Sequence, residues 1–150
     1  MIHSDLTFKD NPDIFDQLTS NPSSQHKLGG QAAEAIETAR KSVARLINCK
    51  GPKRVVFNSG GTESVNHAVK GIALANADKG KHIVTSNIEH NAVIRIMRRL
   101  KMMGFNITSG PVDQYGRVNP DHVAKAITDE TTLVSLMHSN NEIGTVQAIE

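Results

Sequence analysis

Three short segments of this chain carry side chains and spacings suited to chemistry. The first, Asn58-Ser59-Gly60-Gly61-Thr62-Glu63-Ser64, lies between an apolar run ending at Phe57 and a helical pattern. Paired glycines let a backbone approach a ligand closely, and the amides of Gly61 and Thr62 fall among the unpaired donors of a helix N-terminus. With the Thr62 hydroxyl added, this set suits a phosphate, although a plain strand-to-helix turn capped by Ser59 or Thr62 uses the same residues. The second segment is Ile88-Glu89-His90-Asn91. A histidine here can stack on a planar ligand or shuttle protons, because its reference pKa of about 6.5 is close to neutrality; it can equally cap the helix that follows. The third is His138-Ser139-Asn140-Asn141-Glu142-Ile143-Gly144. Its consecutive amides offer donors and acceptors to a polar ligand edge, and Gly144 permits a tight turn, as an Asx-turn would also require.

Strands and helices must hold these loops. From Gly29, apolar residues recur at intervals of three and four (Ala32, Ala35, Ile36, Ala39, Val43, Leu46, Ile47), which predicts an amphipathic helix stopping near Asn48 to Gly51. Arg54-Val55-Val56-Phe57 reads as a short strand, and Glu63 to Asn76 as a helix with Val65, Ala68, Val69 and Ile72 on one face. The alternation continues with a strand over Lys81 to Ser86, a helix over Ala92 to Met103 and a strand starting at Phe105 to Ile107. A turn at Asp113 to Gly116 follows, then a helix capped by Asn119 with Pro120 first and a strand over Thr131 to His138. Strands interleaved with helices of this length imply an α/β domain of three layers, a mostly parallel sheet with helices on both faces. In such a sheet ligands bind beyond the carboxyl ends of the strands. The expectation is that all three loops share that rim and build one composite pocket.

Residues 1–28, with turn-forming Asn11-Pro12 and Asn21-Pro22, read as an irregular leader with room for one short helix using Leu6, Phe8, Ile14, Phe15 and Leu18. Residues 29–150 read as a partial domain, because the chain stops at Gln147-Ala148-Ile149-Glu150 without a helix to cover the last strand. The expectation is a fragment of something longer, or a chain that completes itself with a partner.

Composition narrows the function classes. The 150 residues are 38% hydrophobic and 21% charged, with 17 Lys+Arg spread among 15 Asp+Glu for a net charge of +2. That balance fits a globular domain and speaks against a nucleic-acid binder, as do 3% aromatic residues and no Trp. No apolar run reaches the roughly 18 residues that span a bilayer, and the N-terminus lacks the marks of a signal peptide, so a cytoplasmic protein is expected. Cys49 is the only cysteine and follows a helix C-terminus, where the dipole disfavours a thiolate. No HExxH or paired-cysteine spacing predicts a metal, and no GxxxxGK[ST] or GxGxxG motif points to a nucleotide. Arg95, Arg98, Arg99 and Lys101 form a basic patch that reads as a solvated helix face.

Read in order, the loops resemble the N-terminal half of the large domain of cysteine desulfurases, in the class V aminotransferase group of pyridoxal-phosphate enzymes. The resemblance covers about residues 20–150. It rests on Asn21-Pro22-Ser23-Ser24-Gln25-His26, Ser59-Gly60-Gly61-Thr62-Glu63-Ser64, Glu89-His90-Asn91-Ala92-Val93 and Met137-His138-Ser139-Asn140-Asn141-Glu142-Ile143-Gly144. It implies pyridoxal 5'-phosphate as cofactor, with Gly61 and Thr62 holding its phosphate. His90 would stack on the ring and assist proton transfer, and Asn141 would contact the ring hydroxyl or the substrate carboxylate. The implied reaction takes sulfur from L-cysteine as an enzyme persulfide, leaving alanine, and feeds iron–sulfur cluster synthesis or tRNA thiolation through an acceptor protein, in a homodimeric parent. The family's cofactor lysine, its aspartate at the pyridine nitrogen and its persulfide cysteine match no residue here, and its Ala-Thr-Thr-Pro opening strand is absent. The chain alone is therefore expected to be inactive. Two other readings use the same residues: a non-catalytic association module of this fold, and a selenocysteine lyase or other member of the group.

Overall fold

A computed structural model describes residues 20–149, so the short helix expected between Leu6 and Leu18 lies outside the described residues. The chain divides into two compact units, Met1–Phe57 and Asn58–Glu150.

In the first unit, α1 spans Lys27–Leu46. It starts two residues before the expected Gly29 because His26 caps it, with Nδ1 accepting from the Gly29 amide at 3.1 Å. The Asn21–Ser24 turn packs so closely on this start that a Cβ on Gly29 would overlap the Asn21 and Ser24 carbonyls. Beyond α1, Pro52–Arg54 forms a single 3-10 turn, and Val55 to Phe57 joins no ladder. The strand expected over Arg54 to Phe57 is therefore absent. A strand needs pairing partners for its amides and carbonyls. Here the Val55 carbonyl instead accepts from the Arg40 guanidinium, which lies 5.0 Å from the centre of the Phe57 ring.

The second unit alternates regularly. Its elements are α2 (Gly61–Ala75), β1 (His82–Ser86), α3 (Asn91–Met102), β2 (Asn106–Gly110), α4 (Pro120–Ala126) and β3 (Thr131–Ser135). The strands form one parallel sheet in the order β2-β1-β3. The crossover β1-α3-β2 moves one way along the sheet and β2-α4-β3 moves back the other way. Right-handed crossovers of opposite sense place α3 and α4 on opposite faces, which agrees with the layered α/β reading. Central β1 is buried at all five residues, as a strand covered on both faces must be.

The core forms where α2 and α3 meet the sheet: Val69, Ala73, Ile83, Val93, Ile96, Met97, Leu100 and Phe105. Val93, Ile96, Met97 and Leu100 recur at the helical spacing that the sequence showed, and Leu100 and Ile83 are wholly buried. Gly80 lets the chain enter β1 beside β3, since a Cβ there would overlap the Glu130 backbone. His82 ties the sheet across both seams: Nδ1 lies 2.7 Å from Thr131 Oγ1 on β3, and Nε2 lies 2.8 Å from Thr108 Oγ1 on β2. Asn119 caps α4 as expected, accepting from the Asp121 amide at 2.8 Å with Pro120 in the first turn.

Candidate functional site

The loops after β1 and β3 emerge from neighbouring parallel strands and are stitched together by side chains. Glu89 is the principal stitch. It is 7% exposed, and its Oε1 accepts from the Ser86 hydroxyl at 2.5 Å and from the Met137 amide at 2.9 Å. Such bonds to a charged acceptor are short and strong. They also explain why β3 stops at Ser135 rather than His138: the Met137 amide bonds a side chain instead of a strand. Asn140 makes the second stitch, donating from Nδ2 to the Ile88 carbonyl at 3.0 Å. Its Oδ1 accepts from the Glu142 and Ile143 amides at 2.9 and 3.1 Å, forming the Asx-turn, and Gly144 follows at φ +73°.

This framework places two of the sequence-predicted residues around one cavity. His90 and Asn141, both exposed, line a space of about 350 Å³ together with Asn87, Asn140 and Glu142. That is the size of a small-molecule site. His90 also caps α3: its Nδ1 accepts from the Ala92 amide at 3.1 Å. The capping and ligand-facing readings therefore coexist, because a ring whose Nδ1 accepts from an amide keeps the Nε2 edge for a second partner.

Gly61 and Thr62 do not line this cavity. They begin α2, which is preceded by no strand, so no ladder carries their loop to the rim as the sequence suggested. The loop is nevertheless built as an open helix start. Gly60 at the cap position has no side chain to bond the first-turn amides. Glu63 turns back instead, accepting from the Ser59 amide at 2.7 Å and the Ser59 hydroxyl at 2.6 Å. These bonds, the hydroxyl's first, hold the Glu63 carboxyl below its usual pKa of 4.5. A Cβ built on Gly60 or Gly61 would meet nothing within 4 Å, so neither glycine is demanded by packing.

The sequence reading passed over Glu89 in favour of its neighbour His90. Its signal was an acid three residues beyond a buried strand, where a charge persists only if bonded. Among the described residues no group of three or more His, Cys, Asp or Glu could hold a metal, and no helix is long and apolar enough to cross a membrane.

The chain is 49% identical over 130 residues to the cysteine desulfurase IscS of Dictyoglomus turgidum, covering 87% of this chain and 33% of that protein. It is 51% identical over 130 residues to IscS of Methanosarcina thermophila, covering 87% of this chain and 32% of that one. The chain thus spans about a third of the length of these relatives. Among solved structures, a NifS-like protein superposes with a TM-score of 0.88 at 34% identity, over 97% of this chain and 40% of the other. A structure of SspA in complex with cysteine superposes with a TM-score of 0.81 at 36% identity, over 88% and 38%. Matched over residues 8–150, the chain belongs to the class-V aminotransferase family.

Proposed function

We propose that this chain supplies the phosphate-binding helix start and one ring-facing wall of a cysteine desulfurase that uses pyridoxal 5'-phosphate. The observation that carries the reading is the shared cavity of His90 and Asn141, on loops fixed to each other through Glu89 and Asn140. The residues present fit the cofactor. A phosphate needs converging donors and room. The first turn of α2 offers the Gly61 and Thr62 amides with no side-chain cap, the Thr62 hydroxyl, and open space beside both glycines. When bound, the cofactor supplies an electron sink for breaking bonds at the amino-acid substrate.

The chain's own residues do the positioning. Capping holds the His90 ring by Nδ1, so that Nε2 is the atom able to hold or move a proton at the cavity. Asn141 brings both a donor and an acceptor to the same cavity, matched to a ring hydroxyl or a carboxylate. The substrate is L-cysteine, in keeping with the relatives' names and with the cysteine complex of one structural neighbour. We further place the parent in the cytoplasm as a homodimer that passes sulfur to an acceptor protein. In that longer enzyme, Thr62→Val weakens cofactor binding by about 1.5–3 kcal/mol, the worth of a hydrogen bond to a charged group. Unchanged affinity would remove Thr62 from the phosphate site. Sulfide release from cysteine, weighed against selenide release from selenocysteine, separates the desulfurase from a selenocysteine lyase.

A further inference from the structure

The segment that presents Asn141 is a short hairpin with two separately anchored arms. The Gln147 amide donates to the His138 carbonyl at 2.8 Å, Ser139 and Val146 form an antiparallel bridge, and the Asn140 amide donates to the Thr145 carbonyl at 2.9 Å. Asn141 stands at the tip beyond these pairs. Glu89 and Asn140 tie the incoming arm to the loop after β1. They do nothing for the outgoing arm, Thr145 to Gln147.

That arm rests on the loop after β2. Thr145 Oγ1 donates to the Tyr115 carbonyl. Gln147, only 6% exposed, makes the stronger attachment: its Oε1 accepts from the Val118 amide at 2.9 Å and its Nε2 donates to the Gly116 carbonyl at 2.8 Å. A side-chain amide bonded at both ends has one orientation, and an apolar replacement would leave two backbone groups without partners. The loop it grips is firm in itself. Asp113 Oδ1 accepts from the Tyr115 and Arg117 amides at 2.9 and 2.8 Å, closing the turn expected at Asp113 to Gly116. Gly116 lies at φ +77°, and a Cβ there would overlap the Ile143 side chain. Ile143 lines the cavity of His90 and Asn141, whereas Gly116, Val118, Thr145 and Gln147 do not.

Resting on the cofactor reading above, we propose that Gln147 is a positioning residue: by fixing the outgoing arm to the loop after β2, it sets where Asn141 stands relative to His90. With the incoming arm alone attached, the tip can pivot and carry Asn141 away from a bound ring. Binding groups lose much of their worth when displaced by about 1 Å.

The test titrates the full chain, isotopically labelled, with pyridoxal 5'-phosphate while backbone amide shifts are followed by NMR. Amides of residues 88–91 and 140–144 are expected to move. Asn141→Ala is expected to weaken binding about tenfold, the loss of roughly one hydrogen bond, and Gln147→Leu about fivefold. In the Asn141→Ala background, Gln147→Leu is expected to add almost nothing, because its effect runs through the missing side chain. Thr145→Val, nearly isosteric at a half-buried position, is expected to show the same coupling on a smaller scale, and it reports on the same arm should Gln147→Leu fail to fold. A purely structural role would lower affinity by the same factor in both backgrounds, and that result overturns the proposal. So does unchanged affinity in Gln147→Leu or in Asn141→Ala. If pyridoxal 5'-phosphate moves no amide of either loop in the unsubstituted chain, the cofactor reading itself falls and the proposal with it.

Discussion

Replacing Glu89 probes the framework of the site without touching the residues assigned to ligand binding. The carboxylate is 7% exposed and accepts two bonds on one oxygen, from the Ser86 hydroxyl and the Met137 amide. Each bond to a charged acceptor contributes about 1.5–3 kcal/mol, and releasing a buried charge returns part of that through its lost desolvation penalty. Glu89→Ala leaves the Met137 amide and the Ser86 hydroxyl without an acceptor and should destabilise the chain by about 3 kcal/mol. Glu89→Gln keeps a carbonyl oxygen in place and exchanges charged for neutral bonds, so a loss of about 1 kcal/mol is expected. Urea unfolding gives both values, and native-state hydrogen exchange gives the local consequence: the Met137 amide should lose protection in the alanine variant more than amides of α2 do. An alanine variant within about 0.5 kcal/mol of the parent, with Met137 still protected, would show that the stitch does not hold the two loops.

Other perturbations test separate parts of the structure. Leu100→Ala, at a wholly buried position on the inner face of α3, should cost about 2–5 kcal/mol in the same urea assay, and a loss below about 1 kcal/mol would contradict the assigned core. Gly80→Ala forces a methyl into the Glu130 backbone, so melting should occur several degrees lower; an unchanged melting temperature would mean that the approach is looser than described. Because the folded pKa of Glu63 is lowered, its contribution to the α2 start is present above the usual value of 4.5 and fades as pH falls through the lower folded value. Hydrogen exchange of the Ser59 amide should accelerate relative to core amides over that acidic range, and Glu63→Gln should abolish the dependence.

Much of the fold was legible because its rules are local. The three-and-four spacing of Val93, Ile96, Met97 and Leu100 marked α3, and Asn119-Pro120 marked the start of α4 to the residue. Failures came where partners decide. Val55 to Phe57 looks like a strand, but strand character requires a neighbour, and the Val55 carbonyl found Arg40 instead. Strand β2 extends through Thr108-Ser109-Gly110, polar residues that an edge strand tolerates and an apolar pattern passes over. At the candidate site, the loops after β1 and β3 stood out by their place beyond strands, His90 by its residue type and Asn141 only through the family resemblance; the two line one cavity. Glu89 and Asn140 were not singled out, since their roles arise from contacts between loops distant in sequence.

The double attachment of His82 sets how this sheet can come apart. One imidazole lies on the middle strand and touches a hydroxyl on each flanking strand, so a fluctuation that peels away either edge disturbs the same ring. The two seams are thereby linked at their amino-terminal end, opposite the rim that carries His90 and Asn141. Opening there is coupled, just as the loops beyond the carboxyl ends are coupled to each other through Glu89 and Asn140.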